Sequence, residues 1–344
     1  MPTPPSPFIS LAALQQNFAD GLATLLEAHR GLGVYILVLA NAAYDSRLWA
    51  QLSPALSARH SELAAAMTET LRNGQTLTEP DDDVQVFLKL LAIGFGHLKT
   101  MESRRAGPWD LFFNPIRALR PPRSSGMKFE GLLRAFDGDG FHFNKPFLEK
   151  EALWQGELAG KPARLLYNKF PFARLHGLLV PEPLREAPQY LTPELHGWAW
   201  DLCAQVDLPG FCLGYNSYGA GASVNHLHFQ SFVQPDPLPV QATRFSQNGG
   251  AEPYPLPCRR FTDAESAWVH LDQLHQRNVP YNLIYSRGCL HCVARVPQDS
   301  NKLGAQSRSY GWSEMAGAVT LFSREAFESL SATEFEAELA SFAS

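Results

Sequence analysis

The chain has 344 residues, 29 Lys+Arg against 34 Asp+Glu, and a net charge of −5. With 45% hydrophobic and 18% charged residues it has the balance of a folded chain; this excludes a disordered composition and the basic footprint of a nucleic-acid scaffold. At roughly 100–200 residues per domain, the length suits two domains or one large one.

The most apolar stretches, 33–44 and 84–96, fall short of the roughly 20 residues that cross a bilayer, so no membrane partner is expected. The start of the chain, Met1-Pro2-Thr3-Pro4-Pro5-Ser6-Pro7, has no basic region ahead of an apolar one, and no signal peptide is expected. Five sparse cysteines (Cys203, Cys212, Cys258, Cys289, Cys292) read as reduced thiols, and cytoplasmic is the expected location.

The first hundred residues read as helical. Leu11, Leu14, Phe18, Leu22 and Leu25 recur at helical spacing, with Gly31 as the stop. Ser53-Pro54 predicts the start of a second helix that runs to about Gly74, and Asp81-Asp82-Asp83 suits the N-terminus of a third. No chemistry is evident here, and the region reads as a helical cover or interface. Four prolines among Arg117, Arg120 and Arg123 make 107–126 a connecting loop or boundary.

Further on, 164–180 reads as two strands joined by a turn at 172–176. Thr192-Pro193 opens a helix, and 223–233 alternates as a strand. Capping-box patterns at Thr262/Glu265 and Ser331/Glu334 open two more helices. Tyr167-Asn168 with His176 and Pro181 is echoed by Tyr281-Asn282 with His291 and Pro297, a pattern that a duplicated half-domain or chance would produce.

The stretch that carries chemistry is Gly214-Tyr-Asn-Ser-Tyr-Gly-Ala-Gly-Ala-Ser223 followed by Val224-Asn-His-Leu-His-Phe-Gln230. On a strand, His226, His228 and Gln230 share one face while Leu227 and Phe229 point into a core. Three polar groups in a row are costly to bury unless they are used. Gly214, Gly219 and Gly221 form a loop whose backbone N–H groups can approach an anion, so a phosphate beside a histidine pair is the natural reading. Hydrogen-bonded core histidines, or two legs of a metal site, are the alternatives; no Asp or Glu between Asp207 and Asp236 completes a metal site. Cys289-Leu-His291-Cys292 has zinc-like spacing without a second pair, and Asp137-Gly-Asp-Gly140 lacks the remaining ligands of a calcium loop. Neither a metal nor a cofactor is expected.

Ser223-x-x-His226-x-His228-x-Gln230, with Asn216 and the upstream glycines, resembles the active-site strand of the histidine-triad (HIT) superfamily. The likeness is to the transferase branch, in which the last position is Gln: galactose-1-phosphate uridylyltransferases, diadenosine tetraphosphate phosphorylases and GDP-hexose phosphorylases. It is greatest to the GDP-L-galactose/GDP-D-glucose phosphorylases, through Gly214-Tyr-Asn-Ser, Asn225-His-Leu-His-Phe-Gln230, Tyr281-Asn-Leu-Ile284 and Glu314-Met-Ala-Gly317. Leu166-Tyr-Asn168 to His176-Gly-Leu-Leu-Val-Pro181 is similar to that family's nucleoside-side hairpin. The likeness covers about residues 127–335.

The resemblance implies an α+β fold: a HIT-like antiparallel sheet with helices in two related halves (about 127–250 and 251–344), within a nucleotidyltransferase domain at 107–344, preceded by a helical extension at 1–106. It implies that His228 attacks an α-phosphorus to form a nucleotidyl-histidine, with His226 supporting it. Asn216, Ser223 and the N–H groups near Gly219 and Gly221 would hold the phosphoryl oxygens, and Gln230 would donate its amide hydrogen there. Asn168, Lys169, Phe170 and Phe172 are candidates on the nucleoside and phosphate side; Arg174, Arg295 and Lys302 are further candidate phosphate partners.

Chemistry alone singles out Gln230. A glutamine cannot protonate a leaving group. The leaving group must depart as a stable anion, as a sugar 1-phosphate or nucleotide does. The expected substrates are an NDP-hexose with inorganic phosphate, or a dinucleoside polyphosphate. A silent nucleotide-binding module is the non-enzymatic alternative, and a homodimer is compatible with such folds.

Overall fold

The computed structural model describes residues 4–120, 128–304 and 307–343. Four helices open the chain: α1 (Leu11–Ala28), α2 (Leu32–Tyr44), α3 (Ser46–Arg72) and α4 (Asp81–Ile93). Ser10 caps α1 by accepting the Ala13 N–H. Gly31 does not stop α1, which ends at an extended His29; it is instead the N-cap of α2. Every residue of α2 from Leu32 to Ala43, Gly33 aside, is buried, so the helix has no polar face to give it a stripe. The helix expected from Ser53 begins at Ser46, capped by Asp45, and carries Pro54 in its interior. The acidic run at 81–83 opens α4 as expected.

Two strands follow, β1 (Glu102–Ala106) and β2 (Trp109–Phe113), paired antiparallel around Gly107 at φ +58°. The principal sheet comprises β3 (Ala152–Leu158), β4 (Lys161–Tyr167), β5 (Gly177–Pro181), β6 (Phe211–Asn216), β7 (Phe229–Val233), β8 (Cys258–Phe261), β9 (Tyr281–Ser286) and β10 (Cys289–Ala294). Its order is β3-β4-β5-β7-β6-β9-β10-β8, and neighbouring strands are antiparallel. α5 (Pro193–Gln205), capped by Thr192, and α6 (Ala264–Gln276) contribute Leu195, Trp198, Leu202, Leu271 and Leu274 to its core. The cap of α6 is Asp263, one residue beyond the expected Thr262; its carboxylate accepts the Ser266 N–H. After α7 (Trp312–Met315), β11 (Ala318–Leu321) joins β2 in parallel, and α8 (Arg324–Ser329) and α9 (Ala332–Ala340) close the chain. Ser331 and Glu334 cap α9 as the sequence predicts.

The chain is thus α+β with antiparallel pairing throughout the larger sheet. Its helical opening shares one core with that sheet: Leu14, Phe18, Leu22 and Leu25 of α1 belong to the same buried cluster as Leu165, Tyr167 and Leu179. Phe18 meets Tyr167 edge-on at 4.8 Å. β1 lies before residue 107 and pairs beyond it, and β6 pairs with both β7 and β9, so the sheet runs continuously across residue 250. The two Tyr-Asn pairs sit differently: Tyr167 ends β4 ahead of a long turn, whereas Tyr281 begins β9. The candidate site lies where β7, between β5 and β6, meets the loop after β6.

Candidate functional site

The strand expected over 223–233 is shorter in the structure: 224–226 is a bend, and regular pairing starts at Phe229. A side chain takes the place of the missing sheet partner. Gln189 Oε1 accepts the His228 N–H at 2.9 Å, while Gln189 Nε2 donates to the carbonyls of Asn216 (2.9 Å) and His228 (3.2 Å). The Leu227 N–H donates to Ala187 O at 2.8 Å, and Asn225 Oδ1 accepts the Gln189 N–H. The histidine segment is therefore stitched to the 187–189 loop, which satisfies backbone groups that burial would otherwise leave orphaned.

The two histidines have opposite tautomers. His228 Nδ1 lies 2.8 Å from the His226 carbonyl, which can only accept, so the proton sits on Nδ1 and Nε2 carries the lone pair. His226 Nδ1 accepts the Phe143 N–H at 3.1 Å and is protonated on Nε2. The Phe143 ring touches both, 4.9 Å edge-on from His228 and 5.7 Å from His226 in a near-stacked pose. Burial pushes His228 down to about 4 against the raising effect of the His226 carbonyl, and burial with the neighbouring His228 and His142 pushes His226 down to about 4. Both are neutral at pH 7. Among the described residues, His228 Nε2 has no hydrogen-bond partner.

Gln230 sits on β7 opposite Leu178 on one side and Gly214 on the other. Its Oε1 lies 2.9 Å from His176 Nε2 and 3.0 Å from Trp312 Nε1. The site extends through Trp312, whose backbone N–H donates to Asn216 Oδ1 at 2.8 Å; the same oxygen accepts from Asn282 Nδ2 at 2.7 Å. Asn216, Gln230, His176, Trp312 and Gln189 thus form one buried polar network that joins segments distant in sequence.

The remaining expected residues fall into place around this network. Ser223 is exposed at the bend. Gly219 and Gly221 have φ of +80° and +93°, and a Cβ would meet the Phe129 ring at 2.4 Å or Tyr310 O at 2.8 Å respectively. The Gly221 N–H already donates to Gln298 Oε1 at 2.9 Å, and the Gly219 carbonyl accepts the Gln298 N–H. Asn168 lies in the β4–β5 turn, its Oδ1 accepting the Phe170 N–H and its Nδ2 3.3 Å from His176 Nε2. Lys169 is committed to an ion pair with Asp83 of α4 at 2.5 Å. Phe172 packs edge-on to His176 at 4.4 Å and lies beneath the Arg117 guanidinium, whereas Phe170 is buried in the main core.

The other candidates lie elsewhere. Arg295 is fully buried, donates to Tyr310 O at 2.7 Å and rests over Phe342. His291 Nε2 is bonded to Asn248 Oδ1, with Cys289 Sγ 3.7 Å from its Nδ1. Among the described residues, no three His, Cys, Asp or Glu side chains converge as a metal site. Within 137–140, the carboxylate of Asp137 caps the Asp139 N–H, the geometry of a turn. Sequence reasoning missed Gln189, Trp312 and Phe143. Only the Glu314-Met-Ala-Gly317 likeness pointed near Trp312, and no motif marked the other two.

Residues 113–232, which hold the β4–β5 hairpin, His226, His228 and Gln230, match the family model of the GDPGP1-like N-terminal domain. Human GDP-D-glucose phosphorylase 1 is 35% identical over 129 residues, 36% of this chain and 32% of that protein. GDP-L-galactose phosphorylase 1 of Arabidopsis thaliana is 29% identical over 209 residues, 51% of this chain and 47% of that protein. The matched stretch therefore spans a third to a half of these relatives. Among solved structures, yeast Ap4A phosphorylase Apa2 superposes with a TM-score of 0.49 at 20% identity, covering 77% of this chain and 95% of that one.

Proposed function

We propose, from the GDPGP1-like N-terminal domain carried by residues 113–232, that this chain is a phosphorylase of nucleoside diphosphate hexoses, a GDP-hexose first among them, working through a nucleotidyl-histidine. The observation that carries the proposal is the tautomer of His228: its Nδ1–H is held by the His226 carbonyl, which leaves the Nε2 lone pair to attack.

In the first step His228 Nε2 forms a bond to the α-phosphorus, and the bond from that phosphorus to the oxygen bridging to the β-phosphate breaks. The electron pair leaves with the oxygen as hexose 1-phosphate. The imidazole, now bonded through Nε2 and still protonated on Nδ1, is cationic, and the His226 carbonyl stabilises that charge. In the second step an oxygen of inorganic phosphate attacks the same phosphorus and His228 departs, giving NDP and the original neutral ring. No proton need be delivered to the leaving group, in keeping with a glutamine at position 230.

Guanine is the favoured base because these relatives are named for GDP-sugars. The test is intact-protein mass spectrometry after brief incubation, without phosphate, with a panel of NDP-hexoses and dinucleoside polyphosphates. A GMP-mass adduct that phosphate discharges and that His228→Ala lacks is the expected result. An AMP-mass adduct from a dinucleoside polyphosphate alone would overturn the substrate assignment. No adduct from any member of the panel would overturn the mechanism.

A further inference from the structure

We propose that His176 and Trp312 are positioning residues for Gln230: together they lock its side-chain amide so that the NH2 group, and never the oxygen, is presented to the reacting phosphate. This rests on the function proposed above and adds to it two residues that do not themselves touch substrate.

The chemistry of the donors fixes the orientation of the amide. An indole N–H can only donate, so the Gln230 atom 3.0 Å from Trp312 Nε1 is the oxygen. His176 approaches the same oxygen at 2.9 Å. Its Nδ1 accepts the Phe172 N–H at 3.3 Å, which puts the ring proton on Nε2, facing Gln230. The other tautomer would face two N–H groups on Nδ1 and two lone pairs between Nε2 and Gln230; it would gain only the 3.3 Å contact with Asn168 Nδ2. Turning the Gln230 amide over would set its NH2 against two donors at once. Gln230 Nε2 meanwhile has no partner among the described residues.

Both donors are themselves held. The Trp312 ring stacks on Phe232 at 4.4 Å with 14° between planes, and its backbone is tied to Asn216 Oδ1. Gly214 makes room for it: a Cβ there would lie 2.5 Å from Trp312 Cε2. His176 is fully buried and wedged edge-on against Phe172. Burial and the Arg117 charge hold His176 down to about 3, so it stays neutral in one tautomer across the working range of pH. The donors come from positions 54 residues before and 82 residues after Gln230, so the lock exists only in the folded chain.

The test measures single-turnover formation of the nucleotidyl adduct from the NDP-hexose that labels the wild type. His176→Met and Trp312→Phe each remove one donor; His176→Gln keeps an N–H at the reach of Nε2 and guards against a merely structural failure of the methionine variant. The expected result is a loss of roughly tenfold to a hundredfold in rate for each donor-deleting variant, as small misplacements near reacting atoms produce. Substrate KM should stay within about threefold, because the interaction strengthens in the transition state. His176→Gln should recover most of the rate. In a Gln230→Ala background, neither substitution should slow the reaction further.

Losses that persist undiminished in the Gln230→Ala background, or rates equal to the wild type, would overturn the positioning role while leaving the phosphorylase reading intact. A wild-type protein that forms no adduct would overturn both.

Discussion

The backbone of the histidine segment depends on a side chain from another loop, and that dependence can be measured. Gln189→Met keeps the length and much of the volume of the residue but removes its three hydrogen bonds, to His228 N, His228 O and Asn216 O. Gln189 is 1% exposed and His228 6%, so water does not readily replace them. At about 1 kcal/mol net per hydrogen bond, and more for a buried group left orphaned, the loss is about 3 kcal/mol. Unfolding entropy near 2.1 cal/mol/K per residue, over the 344 residues of the chain, gives about 0.7 kcal/mol/K and hence a fall in Tm of about 4 °C.

Gln189→Glu is the sharper companion. It retains an acceptor for the His228 N–H but turns a second oxygen toward two carbonyls that had been receiving N–H bonds. It should melt below Gln189→Met at neutral pH, and the gap should narrow in acid as the carboxyl takes up a proton and regains one donor. Differential scanning calorimetry of the three proteins in one buffer reads both effects. If Gln189→Met melts within about 1 °C of the wild type, the side chain is not what holds the segment and the reasoning fails.

Two further outcomes follow from the same geometry. Gln230→Glu should abolish adduct formation even though it is nearly isosteric: one carboxylate oxygen would accept from His176 and Trp312, leaving the other as an anion facing the phosphate. Activity comparable to the wild type would show that Gln230 does not meet the phosphate. The second concerns acid. His176, His226, His228 and His291 are buried and lie at about 3 or 4, chiefly through burial, whereas unfolded histidine titrates near 6.5. The unfolded chain therefore binds protons first: stability is whole above about pH 6.5 and is lost as pH falls toward 4, on the order of 3 kcal/mol for each such residue. Circular dichroism melts should show Tm dropping steeply across that window, and a Tm flat from pH 7 to about 4.5 would refute the assignment of neutral buried histidines.

How far the sequence revealed this arrangement depended on how local each signal was. The caps at Thr192 and Ser331 are made by neighbouring residues, and α4, α5 and α9 start where the sequence places them. α2 escaped because a helix buried on every side has no periodicity to detect. Ser53-Pro54 misled because proline suits a first helical turn, yet Asp45 caps the helix two turns earlier. The alternation of His226, His228 and Gln230 suggested one long strand. The structure has a bend at 224–226, and His228 just beyond it is held by Gln189, a contact between residues 39 apart that leaves no mark on either segment. Glycines 219 and 221 read as an anion loop; in the structure both take positive φ and lie close against Phe129 and Tyr310. Gln230 was legible as chemistry because an amide cannot act as an acid; its partners were not, because they are 54 and 82 residues away.

The helical opening also bears on the site. Three consecutive residues at the end of β4 are each gripped by a different helix. The Tyr167 hydroxyl donates to Phe18 O of α1 at 3.0 Å. The Asn168 carbonyl accepts from Asn41 Nδ2 of α2 at 2.9 Å. The Lys169 ammonium pairs with Asp83 of α4, which Gly33 admits, since a Cβ at position 33 would lie 2.9 Å from Asp83 Oδ2. Asn41 is 2% exposed, so its carbonyl partners are held without competition from water. The same turn closes through the Asn168 N–H on His176 O, which places the imidazole that meets Gln230. The helices thus fix the base of the turn and the sheet fixes its return strand, so the orientation of His176 is set from both sides. A cover that only shielded apolar surface would need none of these polar contacts. Their convergence on 167–169 ties α1, α2 and α4 to the turn from which His176 returns.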